Sequence, residues 1–264
     1  MPELPEVETI RRRLAGWLVG RQVVAAWSHP SSKFTPALEV VGARIDQLGR
    51  RGKYLLGALD DGRELVIHLG MTGVLRPRDR DADDDPYVRA RWELDDGTEL
   101  ELRDVRRFGR LAVVEAGRYA GALAAMGPEP FGDDFTPDGL WRALATSQRA
   151  VKTQLLSQRP VAGVGNIYAD EALWAAGVHP ARRRIGRAAA GRLHQALREV
   201  LQAGIDHGGT TLRDYRTPDG GTGENQHHLR AYGQAGLPCL RCGRPMRRTV
   251  LDGRSTTYCP GCQR

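Results

Sequence analysis

Apolar positions along the chain change their period twice. Val7, Ile10, Leu14, Trp17 and Leu18 recur at helical spacing with Arg11, Arg12 and Arg13 between them, which predicts an amphipathic helix ending near Gly20. From Gln22 to about Glu115 the pattern turns to short β-rich runs: Val23 to Trp27, Tyr54 to Leu59, Leu65 to Leu69, Val88 to Leu94, Thr98 to Leu102 and Leu111 to Val114. Asp60-Asp61-Gly62 and Asp95-Asp96-Gly97 lie between such runs as hairpin turns. Val88, Ala90, Trp92 and Leu94 alternate with Arg89, Arg91 and Glu93, so this strand is expected to have one buried face and one wet face.

Helical spacing returns after a Gly/Asp/Pro/Thr-rich stretch from Phe131 to Pro137. Thr136-Pro137-Asp138 reads as a helix start before Leu140, Trp141 and Leu144. Further helices are expected over Val151 to Leu156, Asn166 to Ala176 and Arg192 to Ile205, the last with a stripe of Leu193, Leu197, Val200, Leu201 and Ile205. The pattern predicts an α+β protein: an N-terminal antiparallel β-sandwich led by a helix, then a helical domain, with the boundary near residues 131–137.

Composition adds a partner. The 264 residues carry 39 Lys and Arg against 32 Asp and Glu, a net charge of +7, which favours a polyanion and most simply nucleic acid. No apolar run approaches the ~20 residues that span a bilayer, and the charged start has no signal-peptide core, so a cytoplasmic protein without a membrane partner is expected.

The sharpest chemical signal is at the end. All four cysteines lie in two CxxC knuckles, Cys239/Cys242 and Cys259/Cys262, separated by sixteen residues, the spacing of a structural zinc site with four thiolate ligands. Arg241, Arg244, Arg247, Arg248, Arg254 and Arg264 surround it against the single acid Asp252, a charge suited to phosphates.

The opening, Met1-Pro2-Glu3-Leu4-Pro5-Glu6-Val7-Glu8-Thr9, carries the candidate reaction centre. Removal of Met1 would expose a secondary α-amine at Pro2, and an α-amine near pKa ~8 is about a tenth unprotonated at neutral pH, far more than a lysine. Such an amine can form an iminium with an aldehyde-like carbon. The plainer alternative is a stiff leader before a helix, with Glu6 and Glu8 at its positive end. Gly163-Val164-Gly165-Asn166 could aim backbone amides at a phosphate, with Lys152 adding a cation, or could be only a tight turn. In the β-half, Lys53 stands at the mouth of a strand, His68 and Met71 around one turn, and Arg106 and Phe108 at another. Taken singly these read as structural; apolar wedges beside an arginine also suit the hole left when a base is flipped from DNA.

Five blocks taken together, Pro2 to Thr9, Arg51-Gly52-Lys53-Tyr54-Leu55-Leu56, His68 to Gly73, Gly163 to Leu173 and the four-cysteine tail, resemble bacterial formamidopyrimidine-DNA glycosylases. The resemblance runs in order from residue 2 to residue 263. It implies a base-excision-repair enzyme that removes oxidised purines such as 8-oxoguanine and formamidopyrimidines from duplex DNA, then cuts the strand by β,δ-elimination, acting as a monomer with one structural zinc. In that scheme Pro2 attacks the sugar C1′, Glu3 serves as general acid/base and Glu6 organises the site. Lys53 and Asn166 hold phosphates, with His68 and Arg254 assisting, while Met71, Arg106 and Phe108 fill the vacated stack. It further implies a catalytic β-sandwich over 1–130, a helix-two-turn-helix domain over 131–228 and a zinc-finger hairpin over 229–264. Two alternatives stay open: an endonuclease VIII-like enzyme for oxidised pyrimidines, and a zinc-dependent DNA-binding protein without catalysis. The chain departs from the family's pattern at Val105, where proline is usual, at Asn225-Gln226 and at Gln234, and its 216–226 loop, which covers the everted base in the family, has unusual text.

Overall fold

The computed structural model describes residues 1–78 and 85–264. The described residues form two compact units, Met1–Ala124 with His207–Glu224, and Ala125–Asp206 with Asn225–Arg264.

In the first unit, helix α1 (Leu4–Leu18) buries the expected stripe of Val7, Ile10, Leu14 and Leu18. Eight strands follow: β1 (Val23–Ser28), β2 (Ile45–Arg51), β3 (Tyr54–Leu59), β4 (Arg63–His68), β5 (Gly73–Arg78), β6 (Val88–Leu94), β7 (Glu99–Asp104) and β8 (Arg110–Glu115). They form two antiparallel sheets, ordered β1-β6-β7-β5 and β2-β3-β4-β8. A single core takes Leu75, Trp92 and Leu102 from one sheet, Leu55, Ile67 and Leu111 from the other, and the stripe of α1, which is the expected sandwich. The two strands that the sequence pattern missed, β2 and β5, are both sheet edges. There β2 is mostly polar and shifts register between Ile45 and Gln47, and β5 carries Pro77, which an edge tolerates.

The wet face expected on β6 is only partly there: Arg91 and Glu93 are half-buried, and Arg89 is buried. Arg89 spends its guanidinium on backbone oxygens: Nε donates to the Asp104 carbonyl at 2.9 Å and Nη1 to that of Pro86 at 2.9 Å. Alternation identifies the apolar side, and the other side is closed at Arg89 and half-open at Arg91 and Glu93.

The second unit contains α3 (Pro137–Ala145), α4 (Val151–Leu156), α5 (Asn166–Ala176), α6 (Arg187–Asp206) and the hairpin of β9 (Arg247–Leu251) and β10 (Arg254–Tyr258); the short α2 (Gly121–Ala124) ends the first stretch of unit one. Thr136 caps α3 as expected, its Oγ1 accepting from the Gly139 amide. Helix α6 begins five residues before the expected Arg192, since Arg187-Ala188-Ala189-Ala190 are good helix formers and Gly191 sits in open space. Gly204 has a packing reason: a Cβ there would lie 2.5 Å from the Tyr168 ring, so glycine lets α5 and α6 close together over the fully buried tyrosine. Among the described residues no helix is long and apolar enough to cross a membrane.

Candidate active site and nucleic-acid contacts

Both carboxylates next to Pro2 are buried, Glu3 at 3% and Glu6 at 2% exposure, and the helix start itself holds them. Glu3 is the residue before α1, and its backbone N–H donates to Glu6 Oε2 at 2.7 Å in a capping-box arrangement. The other Glu6 oxygen accepts from the Thr210 amide at 2.7 Å. Sequence reasoning missed Thr210. Its signal was the preceding Gly208-Gly209 pair, which turns the chain at φ of 69° and 88°; a Cβ on Gly209 would press to 3.0 Å from Glu6 Cγ. Gly223 is equally constrained, since a Cβ there would lie 2.1 Å from the Gly209 carbonyl oxygen. The opening helix and the returning segment 207–224 therefore meet on one carboxylate.

Glu8 is drawn away from this centre. It accepts from Arg11, Arg12 and Arg50 at 2.8–3.1 Å. Burial pushes its pKa up, but the hydrogen bonds and charges of these arginines prevail and bring it down to about 2. A depressed carboxylate stabilises the fold fully above its ordinary value near 4.5 and loses that contribution as pH falls towards 2. Glu8→Gln is accordingly expected to lower the melting temperature at pH 7, with the gap to wild type closing between pH 4.5 and pH 2; a pH-independent gap would show that the charge is not its cause.

Lys53 is buried at 7% exposure beside His68, whose ring lies 4.7 Å from that of Tyr54. Burial, with Lys53 and Arg110 nearby, pushes the His68 imidazole down to about 4, so it is neutral at pH 7. Its Nδ1 accepts from the Gly70 amide at 3.2 Å, which leaves the proton on Nε2 as a neutral donor.

Met71, Arg106 and Phe108 come together although 35 residues separate the two turns. Arg106 Nη1 lies 3.7 Å from Met71 Sδ, and the guanidinium stands 4.7 Å over the Phe108 ring, which is 44% exposed. The buried Asp104 clamps the two turns: it accepts from Thr72 Oγ1 at 2.5 Å and from the Gly109 amide at 2.7 Å. Gly70 permits the contact, because a Cβ there would strike the Phe108 backbone at 2.5 Å.

In the second unit one expectation fails. Lys152 is fully buried and cannot reach a phosphate: its Nζ pairs with Asp170 at 2.6 Å and donates to the Ser255 carbonyl and Thr256 Oγ1, each at 2.9 Å. Burial pushes the Asp170 carboxyl up to about 6, against the pull of Lys152 and the Thr257 amide. Lys152 is therefore a structural tie between α4, α5 and the hairpin. Removing one partner of a buried pair costs about 3–5 kcal/mol, so Lys152→Met should melt well below wild type and Asp170→Asn added to it should restore part of the loss. Equal melting temperatures in thermal unfolding of Lys152→Met and wild type would refute the tie. Glu171 is likewise architectural, its buried carboxylate accepting from the amides of Arg230, Ala231 and Tyr232 at 2.8–3.2 Å.

Asn166 opens α5 after Gly165, its Nδ2 donating to the Ser255 carbonyl at 3.1 Å, while its buried Oδ1 has no hydrogen-bond partner among the described residues. The same hairpin presents Arg254, exposed just after the Asp252-Gly253 turn. Asn166 and Arg254 thus share one edge. Arg241, expected against phosphate, is spent differently: it stacks 4.2 Å over Trp174 and donates to the Trp174 and Ala175 carbonyls at 2.8 Å, fastening the finger to the end of α5.

Cys239, Cys242, Cys259 and Cys262 bring their sulfurs within 4.8 Å of one another. A tetrahedron of zinc–thiolate bonds needs sulfurs ~3.8 Å apart, and the Cys239–Cys262 and Cys242–Cys259 separations of 3.9 and 3.4 Å bracket that. The donor set fits one structural zinc, which four thiolates enclose and which leaves no position for a reacting water.

A helix-led antiparallel sandwich, a helical unit with its helix-two-turn-helix and a four-thiolate finger define the class: a zinc-finger protein of the helix-two-turn-helix DNA glycosylase type. Residues 1–111 match the formamidopyrimidine-DNA glycosylase N-terminal domain, 126–216 the H2TH domain of the same proteins, and 236–264 the zinc finger found in FPG and IleRS. The chain belongs to the formamidopyrimidine-DNA glycosylase family. It is 45% identical to the formamidopyrimidine-DNA glycosylase of Herpetosiphon aurantiacus over the whole of both chains. The crystal structure of the MutM (Fpg) protein from Thermus thermophilus is 46% identical with a TM-score of 0.91, covering 99% of this chain and 98% of that one. A Lactococcus lactis Fpg mutant in complex with Fapy-dG-containing DNA is 33% identical with a TM-score of 0.90 over the whole of both chains.

Proposed function

We propose that this protein is a bifunctional base-excision-repair enzyme: it removes oxidised purines, 8-oxoguanine and formamidopyrimidines, from duplex DNA through a Schiff base on Pro2, then cleaves the strand by β,δ-elimination. The observation that carries this reading is the pair of buried carboxylates, Glu3 and Glu6, fixed directly after Pro2 by the start of α1 and by Thr210. The Pro2 nitrogen attacks C1′ of the damaged nucleotide and the base departs with the C1′–N bonding pair; the amine loses its proton, the C1′–O4′ bond breaks with its pair going to O4′, which is protonated, and the opened sugar is left as an iminium on Pro2. Glu3 moves the proton at the sugar, within the range of general acid–base catalysis. Glu6 is a positioning residue, since both its oxygens are engaged by backbone amides.

Lys53, neutral His68, Asn166 and Arg254 contact the DNA backbone, and Met71, Arg106 and Phe108 occupy the gap left by the everted nucleotide. Functionally the chain comprises a catalytic part over 1–130, a DNA-binding helical part over 131–228 and a finger over 229–264. It acts in the cytoplasm as a monomer on DNA. The deciding measurement is excision from matched duplexes bearing 8-oxoguanine, formamidopyrimidine or thymine glycol. Preference for the two purine lesions by at least tenfold is expected; preference for thymine glycol would transfer the protein to the endonuclease VIII-like reading, and binding without any cleavage to the non-catalytic one.

A further inference from the structure

Four thiolates outweigh the two positive charges of a zinc ion, so the metal centre keeps an excess of negative charge on its sulfurs. Hydrogen bonds from outside the ligand set orient such ligands and take up part of that charge. Each knuckle supplies some of these bonds from its own backbone. The amides of Gly261 and Cys262 donate to Cys259 Sγ at 3.4 and 3.3 Å, and those of Arg241 and Cys242 donate to the Cys239 sulfur.

Cys239 receives one more donor, and this one comes from outside the finger. Trp174, on the last turn of α5, directs its indole Nε1–H at Cys239 Sγ over 3.4 Å. The indole is only 3% exposed, so water does not compete for that proton. A buried tryptophan N–H is a donor that needs an acceptor, and a thiolate accepts more strongly than a neutral thiol, so the arrangement suits the metal-loaded finger. The ring cannot easily turn away, because the Arg241 guanidinium covers its face and is itself tied to the Trp174 and Ala175 carbonyls. Helix α5 therefore meets the finger at both ends: Asn166 at its start on the Ser255 carbonyl, and Trp174 near its finish on a metal ligand.

We propose that Trp174 is a positioning residue of the zinc centre. Its N–H orients the Cys239 thiolate and reduces the charge that this sulfur offers to competing electrophiles, so the helical part of the unit sets how firmly the finger keeps its metal. The role depends on zinc binding and not on the glycosylase activity.

The test uses the full-length zinc-loaded protein, its Trp174→Phe form, and a form in which the Trp174 indole is replaced by benzothiophene, which keeps the bicyclic shape without the N–H. Circular dichroism melting establishes that each folds, and the benzothiophene form decides the matter where Trp174→Phe does not. Zinc affinity is read by competition with a chromogenic chelator. Alkylation by N-ethylmaleimide is followed at each cysteine of the zinc-loaded protein by peptide mass. Loss of the N–H is expected to weaken zinc affinity by about 10–100-fold, the range for losing an outer hydrogen bond to a metal ligand, and to raise alkylation at Cys239 above that at the other three cysteines. Packing alone predicts a benzothiophene form with wild-type zinc affinity, or alkylation that rises equally at all four cysteines; either result overturns the proposal. Wild-type protein that takes up no zinc overturns it at the outset, whereas a zinc-loaded protein that fails to cleave damaged duplex counts only against the glycosylase reading.

Discussion

Borohydride reduction during reaction with 8-oxoguanine duplex should trap the protein covalently on DNA, and Pro2→Gly should lower the rate of trapping by about 10²-fold. Complete loss is not expected from that substitution. Glycine still offers a terminal amine once Met1 is removed, but without the ring its nitrogen is no longer held in one direction, and misplacement of a reacting group is what costs the rate. A form that retains Met1 is the stronger test. There the Pro2 nitrogen is an amide, its lone pair is delocalised into the peptide bond, and no iminium can form. Trapping by the Met1-retaining protein should fall below detection, with duplex affinity preserved. Intact mass read alongside the trapping yield decides the matter: full yield from chains shown to carry Met1 would remove Pro2 from the mechanism. Glu3→Gln, which keeps the shape and removes the proton-transfer function, is expected to slow base release by about 10²–10⁴-fold while leaving duplex binding in place.

Removal of zinc should have the second large effect. Cys239 and Cys259 are buried at 3% and 0% exposure, and the finger's apolar company is a small cluster with Trp174, Ala231 and Met246. So small a cluster does not hold a hairpin by itself, whereas zinc binding to such sites contributes about 10–16 kcal/mol of apparent free energy at neutral pH. The metal content should be one zinc per chain. Stripping it with a strong chelator should open Arg247 and Arg248 to trypsin, weaken duplex binding by at least tenfold and release Arg254 from its place at the hairpin turn. A fully stripped protein that kept wild-type DNA affinity would show that the hairpin does not dock on DNA.

Several elements were legible from local pattern because local physics fixes them. The stripe Val7, Ile10, Leu14, Leu18 determines the buried face of α1, and Thr136 with Pro137 determines the start of α3. Two CxxC knuckles fix four thiolates without any knowledge of the fold. Two of the four edge strands escaped, β2 because it is mostly polar and β5 because Arg76, Pro77 and Arg78 fill its second half, whereas the more apolar edges β1 and β8 were legible.

The site divides along the same line. Proximity in sequence placed Glu3 and Glu6 beside Pro2, and the role proposed for them rests on the residue types. Three facts depended on residues far apart in the chain. Glu6 is anchored by Thr210, 204 positions away, through a double-glycine turn whose purpose appears only when the segment His207–Glu224 is seen to return to the first unit. Asp104 brings the Met71 and Phe108 turns together, and nothing around it in the sequence marks it as a clamp. Lys152 and Asp170 are an i to i+18 pair with no periodic relation, so burial alone revealed that the lysine ties helices together and does not meet phosphate.

The sequence by itself thus determined most of the elements, the four metal ligands and the residues proposed to react, because helix stripes, thiolate spacing and a proline after the initiator Met act over a few residues. Only the tertiary structure decided which charges are spent inside the protein and which face outward, because burial and pairing are set by neighbours that the chain brings back from a distance.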